Sequence, residues 1–326
     1  MKSITRNLYP VLAFTLFAVM PATAATSSAA TDGEALYQQH CAQCHGGTVA
    51  KAPPLTLLQI MSGSSVLRAM NSGVMQSQAA AMSPQERAAL AHWLTGSDPE
   101  QVAVQPAPAC KGDAAAMKFG GGPETAGWGV TLDNRRHFSD DITSLTAGDL
   151  AGLELKWALA YPDALRARSQ PAIAGNTVFV GSQNGTVYAL DRETGCIRWR
   201  FATVAEVRTS IVVDPRSEVH EGQPLIYFGD LVGNIYAVNA GTGELAWRDR
   251  PDDHPSLTLT AAPALHDGVL YVPLSSLEVT EAADPNYACC TFRGGVAAYD
   301  AATGKRLWTG YTIDTPPEVV GKNAVG

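Results

Sequence analysis

The 326-residue sequence predicts a small all-α domain followed by an all-β propeller that is incomplete in this chain. Three observations lead there. Helix signals bracket residues 32–97, with Cys41-Ala42-Gln43-Cys44-His45 close to their start. Residues 98–109 carry three prolines and no periodicity, the composition of a linker. From Cys110 onward a strand–turn–strand unit recurs three times.

Lys2 and Arg6, the apolar run Val11 to Met20 and Ala22-Thr23-Ala24 read as a cleaved secretory signal over residues 1–24, with an uncleaved anchor as the alternative. That run is too short to span a bilayer, and no later stretch is long enough, so no transmembrane segment is expected. Residues 25–31 read as a flexible leader. A net charge of -8 gives no general reason to expect a nucleic-acid partner.

The helical domain opens with Gly33-Glu34-Ala35-Leu36-Tyr37, which leads into Cys-x-x-Cys-His. That motif is the attachment signal for c-type haem: Cys41 and Cys44 bond the vinyl groups and His45 ligates the iron. The last helix starts at Ser83, with Pro84 at its first turn and Glu86 completing a capping box. Leu90, Trp93 and Leu94 share one face, which would pack on the haem or the first helix. Met61, Met70, Met75 and Met82 compete as second axial ligand. Met75 sits on a loop several residues before the last helix and is the choice, with Met70 next. Met82 abuts the helix cap and reads as packing. His40 and His92 read as surface or packing residues, and a bis-His haem through His92 is the alternative.

Each repeat is a strand, a tight Asp/Asn-x-x-Thr-Gly turn, and a strand ending in Trp. The units run Thr186 to Trp199, Asn234 to Trp247 and Gly295 to Trp308, and the glycine supplies positive φ. An apolar strand precedes each: Val178–Val180, Leu225–Phe228 and Val269–Val272. Leu153 to Trp157 reads as a degenerate earlier Trp strand. Four-stranded units of this kind stack radially, with Trp wedged between blades. Trp199 and Trp247 lie 48 residues apart and Trp247 and Trp308 lie 61 apart, so the third unit carries 13 extra residues. They fall between Leu274 and Arg293 and include Cys289-Cys290; insertions of this kind tend to mark a binding face. Three repeats do not close a ring, so the chain reads as the N-terminal part of a longer protein.

Trp128-Gly129, Asn134-Arg135-Arg136-His137-Phe138-Ser139, Ile142-Thr143 and Leu153-Glu154-Leu155-Lys156-Trp157, together with the repeats, resemble the opening of pyrroloquinoline-quinone (PQQ) dehydrogenases. Residues 32–97 resemble a class I-type cytochrome c domain. A cytochrome ahead of the propeller, and Cys289-Cys290-Thr291-Phe292-Arg293-Gly294, look most like the polyvinyl-alcohol dehydrogenase (cytochrome) family. The resemblance implies a periplasmic enzyme with haem c, PQQ and Ca2+, oxidising a secondary alcohol, small or polymeric, and passing electrons to an external cytochrome or other redox carrier. It implies Arg208 as the partner of a PQQ carboxylate, Thr260 as a quinone hydrogen-bond donor and Glu278 as a Ca2+ ligand, with Glu281 and Asp284 as local competitors. The family's general base, an Asp, is expected beyond residue 326. The alternatives are a salt-bridge Arg, a strand Thr and a solvated loop Glu.

Six cysteines less the two of the haem motif leave Cys110, Cys196, Cys289 and Cys290, expected as two disulfides in an oxidising compartment. In the family a vicinal disulfide packs on the quinone just before the Arg matched by Arg208, where this sequence has Ala205-Glu206. Here Cys289-Cys290 lies a blade later. It either reaches the quinone from another side, or is a loop staple, or pairs separately with Cys110 and Cys196. Cys110–Cys196 would instead tie the start of the propeller to its first full repeat. Arg168 stands near where the family has a Glu that contacts substrate or quinone. His254 reads as an exposed loop residue between blades. A different class also remains open: a propeller that scaffolds envelope proteins, with the haem as sensor or relay.

Overall fold

The computed structural model describes residues 32–47, 49–98, 107–119, 125, 127–130, 135–140, 143–214, 224–318 and 320–322. The signal and leader, most of the linker, and Asn134 and Ile142 lie outside the described residues. The described part from Asp32 onward belongs to one compact unit.

Its N-terminal portion is helical: α1 (Gly33–His40), α2 (Ala42–His45), α3 (Leu55–Leu58), α4 (Gly63–Asn71) and α5 (Pro84–Thr95). The expected capping box is present. Glu86 N donates to Ser83 Oγ at 3.3 Å, and Ser83 N donates to the Glu86 carboxylate at 2.7 Å. Leu90 and Leu94 of α5 are buried, and Trp93 lies against Gly33 and 5.5 Å from the Tyr37 ring, so α5 packs on α1.

The remainder builds three antiparallel sheets, two of four strands and a last one of four strands in order with a short fifth strand added. The first is β1 (Ala172–Ala174), β2 (Thr177–Gly181), β3 (Thr186–Asp191) and β4 (Ile197–Ala202). The second is β5 (Val212–Val213), β6 (Leu225–Gly229), β7 (Ile235–Asn239) and β8 (Leu245–Asp249). After β9 (Leu257–Thr258) comes the third: β10 (Ala264–His266), β11 (Val269–Ser276), β12 (Gly295–Asp300) and β13 (Arg306–Tyr311), with β9 added against β11. A short helix, α6 (Glu278–Glu281), follows β11. Two details depart from the sequence expectation. The Trp strands continue past Trp199, Trp247 and Trp308, because their backbone goes on pairing with the preceding strand, as in Val187 with Phe201. Leu153 to Trp157 forms no strand.

Alternation explains why the sheets stack. On β6, Ile226 and Phe228 face the first sheet, whereas Leu225 and Tyr227 face the third. The middle sheet is thus apolar on both faces, which is why Leu225 to Phe228 is an unbroken apolar run. The Trp residues add a directional contact. Trp157, Trp199 and Trp247 donate their indole N–H to Arg192 O, Ala240 O and Ala301 O, each at 2.9 Å. Each acceptor is the residue after the turn's Asp or Asn. Trp157 makes this contact without belonging to a ladder, so the degenerate repeat keeps the wedge and loses the strand.

The turns are held by their own side chains. Asp191 Oδ1 accepts from Thr194 N at 2.8 Å, Asn239 Oδ1 from Thr242 N at 2.9 Å, and Asp300 Oδ1 from Thr303 N at 2.8 Å. Gly195, Gly243 and Gly304 have φ of 71°, 75° and 71° and lie under the rings of Trp157, Trp199 and Trp247. Cys110 is disulfide-bonded to Cys196 in the first of these turns. There, Ile197 N donates to Pro108 O at 2.9 Å and Cys110 N donates to Ile197 O at 2.9 Å. The last residues of the expected linker therefore pair in parallel with β4, because that strand's outer backbone groups need partners.

Gly243 and Gly268 share a positive φ, 75° and 74°, but a Cβ at 243 would meet Trp199 at 2.8 Å and one at 268 meets nothing within 4 Å. Gly268→Ala should cost about 1 kcal/mol from backbone conformation alone. Gly243→Ala should cost about 1–3 kcal/mol more through the collision. Urea unfolding of the two variants reads the difference, and equal losses would contradict the Trp-on-Gly packing.

Candidate functional site on the loop end of the blades

In an antiparallel meander, successive connections leave alternate ends of the sheet. The Asp/Asn-x-x-Thr-Gly turns occupy one end. The β2–β3 loop (182–185), the β4–β5 segment (203–211), the β6–β7 loop (230–234), the β8–β10 segment (250–263) and the β11–β12 insert (277–294) all emerge at the other. That end carries Arg208, Thr260, Glu278, Cys289 and Cys290.

The helical portion is seated on this end. Its core of Leu36, Leu57, Met61, Val66, Met70 and Leu90 is continuous with Ala205, Leu231 and Val232 of the blade loops. Ser65 Oγ and Arg68 Nη2 donate to Asn184 O at 2.7 and 2.8 Å, and Ser64 N donates to Asp163 Oδ2 at 2.8 Å. Lys51 donates its backbone N–H to Asp253 O and ion-pairs with the Asp253 carboxylate, both at 3.0 Å.

One helical turn and a backbone carbonyl shape the haem motif. Cys44 N and His45 N both bond Cys41 O, at 3.0 and 2.9 Å, so one helical turn sets the spacing of the two thiols. Neither thiol is in a disulfide. His45 is buried, and its Nδ1 lies 2.6 Å from Pro53 O. That bond makes Nδ1 the protonated nitrogen and leaves the Nε2 lone pair for a metal. Met61, Met70 and Met82 are buried in the core, whereas Met75 is only partly buried against it. Its thioether is thus the least committed to packing. His92 is exposed and bonded to Ser97 O at 3.1 Å.

Arg208 lies in a cluster that the sequence reading recognised only in part. Its Nη2 donates to Glu206 Oε2 at 2.9 Å, and Arg166 Nη2 reaches the same oxygen at 3.5 Å. The Glu206 side chain is 1% exposed and that of Arg208 10%. Burial lowers the Arg208 pKa, Glu206 works against that, and Arg168 and Arg166 lower it further. Two arginines thus share one carboxylate, with Arg168 adding positive charge nearby. The Nε groups of Arg208 and Arg166 are buried without a partner. Excess positive charge and orphaned donors fit an anionic group bearing carboxylates. Arg166 and Glu206 went unrecognised, although Arg166-x-Arg168 and Glu206-x-Arg208 each have the spacing of same-face residues in extended chain. Arg168 itself is exposed.

Glu278 is buried, and both its oxygens are engaged. Oε1 accepts from Tyr287 Oη at 2.9 Å, Thr291 N at 2.8 Å and Thr291 Oγ1 at 3.2 Å, and Oε2 accepts from Phe292 N at 2.9 Å. Burial pushes its pKa up, but these bonds outweigh it and hold the group below its ordinary 4.5. Glu278 therefore anchors the loop that bears Cys289 and Cys290, mainly through Oε1, while Oε2 accepts a single hydrogen bond and keeps a lone pair that a cation could use. Glu281 accepts from Ser256 Oγ at 2.5 Å, and Asp284 caps Asn286. Among the described residues, no group of three His, Cys, Asp or Glu side chains is disposed to hold a metal. Cys289 and Cys290 are disulfide-bonded to each other and exposed. His254 is an inner part of the same loop cluster rather than a free surface residue. Its Nε2 lies 2.9 Å from Thr291 Oγ1, and its ring packs edge-on against Phe292. Thr260 is half-buried just after β9, while the hydroxyl of Thr258 is buried without a partner.

The fold class is a run of PQQ-repeat blades with a haem-motif helical portion seated on their loop end. The chain belongs to the PQQ_2 family, whose model, described as outer membrane protein assembly factor BamB, matches residues 125–320. A cytochrome model, described as cbb3-type cytochrome c oxidase subunit III, matches residues 28–94. More particularly, the protein is polyvinylalcohol dehydrogenase-like. It is 33% identical over 310 residues to a polyvinylalcohol dehydrogenase of Sphingopyxis sp. (strain 113P3), covering 90% of this chain and 47% of that protein. It is 34% identical to another from Pseudomonas sp., covering 90% and 48%. The chain thus spans about half the length of these relatives. The crystal structure of quinohemoprotein alcohol dehydrogenase from Comamonas testosteroni aligns with a TM-score of 0.44 at 20% identity, over 63% of this chain and 29% of that one.

Replacing Glu278 with Gln removes one of the two backbone anchors, because an amide offers a single acceptor oxygen. Amide exchange across Tyr287–Phe292 should then speed up by about tenfold, the equivalent of about 1.4 kcal/mol. In the wild type the folded carboxylate titrates below its ordinary 4.5. The anchor is therefore complete above that value and lost as pH falls through the folded-state value. Protection of this loop that is insensitive to both the substitution and acid would contradict the assignment.

Proposed function

We propose that this chain carries the haem and part of the quinone site of a periplasmic PQQ-dependent alcohol dehydrogenase. It oxidises secondary alcohol groups, with polyvinyl alcohol as the substrate, to ketones. The observation that carries this reading is that the haem-motif portion is seated on the same blade end as the Arg166–Glu206–Arg208 cluster, built on the buried Glu206. Bound PQQ supplies a two-electron acceptor for the alcohol, and haem c moves electrons singly.

The chain's own residues have definable tasks. Arg208 holds a carboxylate through its unpartnered Nε edge, in the excess positive field of Arg166 and Arg168. Thr260 is the proposed neutral donor on the same end. Glu278 fixes the loop that presents Cys289 and Cys290. Cys41 and Cys44 anchor the haem edge, and Pro53 O orients His45 toward the iron. Met75 would supply the second iron ligand, and a thioether there would favour a high potential, which suits an electron acceptor. Ca2+ belongs to the proposed cofactor set, with Glu278 as its proposed ligand through Oε2, which accepts a single hydrogen bond. The electrons leave to an external cytochrome or other redox carrier.

The family description favours a second reading, an envelope scaffold with a relay haem. One experiment separates them. The complete gene product, including the part beyond residue 326 where the general base is expected, is loaded with PQQ and Ca2+ and mixed anaerobically with polyvinyl alcohol or a small secondary alcohol, while haem absorption is followed. Quinone-dependent haem reduction supports the dehydrogenase, and the faster substrate chooses between polymer and small alcohol. An intact haem that no alcohol reduces favours the scaffold.

Arg208→Ala should weaken PQQ retention by about ten- to a hundredfold, the cost of a charge-assisted pair of about 1.5–3 kcal/mol. Equilibrium dialysis measures it. Met75→Ala should alter the haem spectrum and lower the potential, whereas Met82→Ala should affect stability alone. The reverse result would transfer the ligand role to Met82.

A further inference from the structure

Arg166 touches both halves of the proposed electron path. Its Nη2 donates to Ile60 O, in the helical portion, at 2.8 Å, and reaches Glu206 Oε2, in the blades, at 3.5 Å. Glu206 Oε2 is the oxygen that Arg208 Nη2 holds at 2.9 Å. One carboxylate oxygen is therefore shared by two guanidinium groups, one facing the cofactor cluster and one facing the cytochrome. Ile60 immediately precedes Met61, which is buried in the helical core. The Ile60 carbonyl lies between α3 and α4, so its anchor fixes a wall of that core. The backbone around Arg166 is itself held: Leu165 N and Arg166 N both donate to Gln183 Oε1, at 2.7 and 3.1 Å.

We infer that Arg166 is a positioning residue that couples occupancy of the Arg208 site to the seating of the cytochrome portion on the blades. This rests on the quinone reading of the Arg208 cluster. The physical basis is competition for one oxygen. An anion on the Nε edge of Arg208 also draws on Nη2, which belongs to that edge, and so loosens the Nη2 bond to Glu206. The Glu206 carboxylate then relies more on Arg166, and their bond shortens from its present long value. Arg166, pinned by Glu206, holds Ile60 O more firmly. With the site empty, Glu206 is divided between two cations and Arg166 is held loosely. A ligand affects a distant segment only through contacts that differ between two states, and this shared oxygen supplies such a difference. A lysine could keep the charge but has no planar fork with which to serve a carbonyl and a carboxylate together.

The test uses hydrogen–deuterium exchange on the haem-loaded complete gene product, with and without PQQ plus Ca2+. The reporting peptide is 58–68 and the control is β6 in the middle blade. Bound PQQ is scored separately by its retained absorbance, and each variant is compared at saturation. PQQ should slow exchange over residues 58–68 by about fivefold in the wild type. Arg166→Lys should bind PQQ and show less than half of that slowing, and Arg166→Gln should show none, with the control peptide unchanged throughout. If Arg166→Gln fails to retain PQQ, Arg166→Lys decides. Full slowing in Arg166→Lys or Arg166→Gln, or no slowing in a wild type that has bound PQQ, overturns the coupling and leaves the dehydrogenase reading standing. A wild type that binds no PQQ overturns both.

Discussion

An indole N–H directed at a carbonyl in the next sheet is the contact on which the rest of the molecule depends. It occurs three times, always to the residue after the turn's Asp or Asn and always at 2.9 Å. The ring that makes it lies over the turn's glycine, where any Cβ would intrude. Each such bond is worth about 1 kcal/mol, and burying the ring against its neighbour adds about 1.5–3 kcal/mol. The geometric effect matters more than the energy. With one end of every sheet locked to the next, the loops at the other end are held in a common plane of construction, and that end becomes a place where side chains from different blades converge.

Two buried glutamates on that end show how surroundings decide a carboxylate's use. Glu278 accepts four hydrogen bonds, three of them on Oε1, so it is a fastener for the Cys289–Cys290 loop. Glu206 is outnumbered by arginines, and two of these keep a buried Nε without a partner. A satisfied network is rigid, whereas one short of acceptors is open to an anion. The helical portion seats beside the second and shares its core with the same loops.

Local features were legible in the sequence. The capping box at Ser83 and Glu86, the turn glycines, the apolar strands and the haem motif all depend on residues a few positions apart. The Cys110–Cys196 link was readable as one possibility, since the repeat located Cys196 in a turn. Trp157 was legible as a repeat Trp, but not as one without a strand, because ladder formation depends on which chain lies alongside. The anchoring role of Glu278 was not readable. Its partners Tyr287, Thr291 and Phe292 lie 9 to 14 residues away across an insert with no periodicity. Arg166 was hidden for the same reason. Its partners are 106 residues before it and 40 after it, and no local pattern announces contacts at such separations.

The central claim is that the haem-bearing helices are docked on the loop end of the blades. The Lys51–Asp253 ion pair tests it, because both side chains are solvent-accessible and span the junction at 3.0 Å. A zero-length carbodiimide reagent joins an amine and a carboxylate only when they already touch. Treated haem-loaded monomer, digested and analysed by mass spectrometry, should yield a peptide in which Lys51 is linked to Asp253. Lys51 recovered unlinked, or joined to a carboxylate away from the 250–254 loop, would contradict the docked arrangement and the electron path built on it.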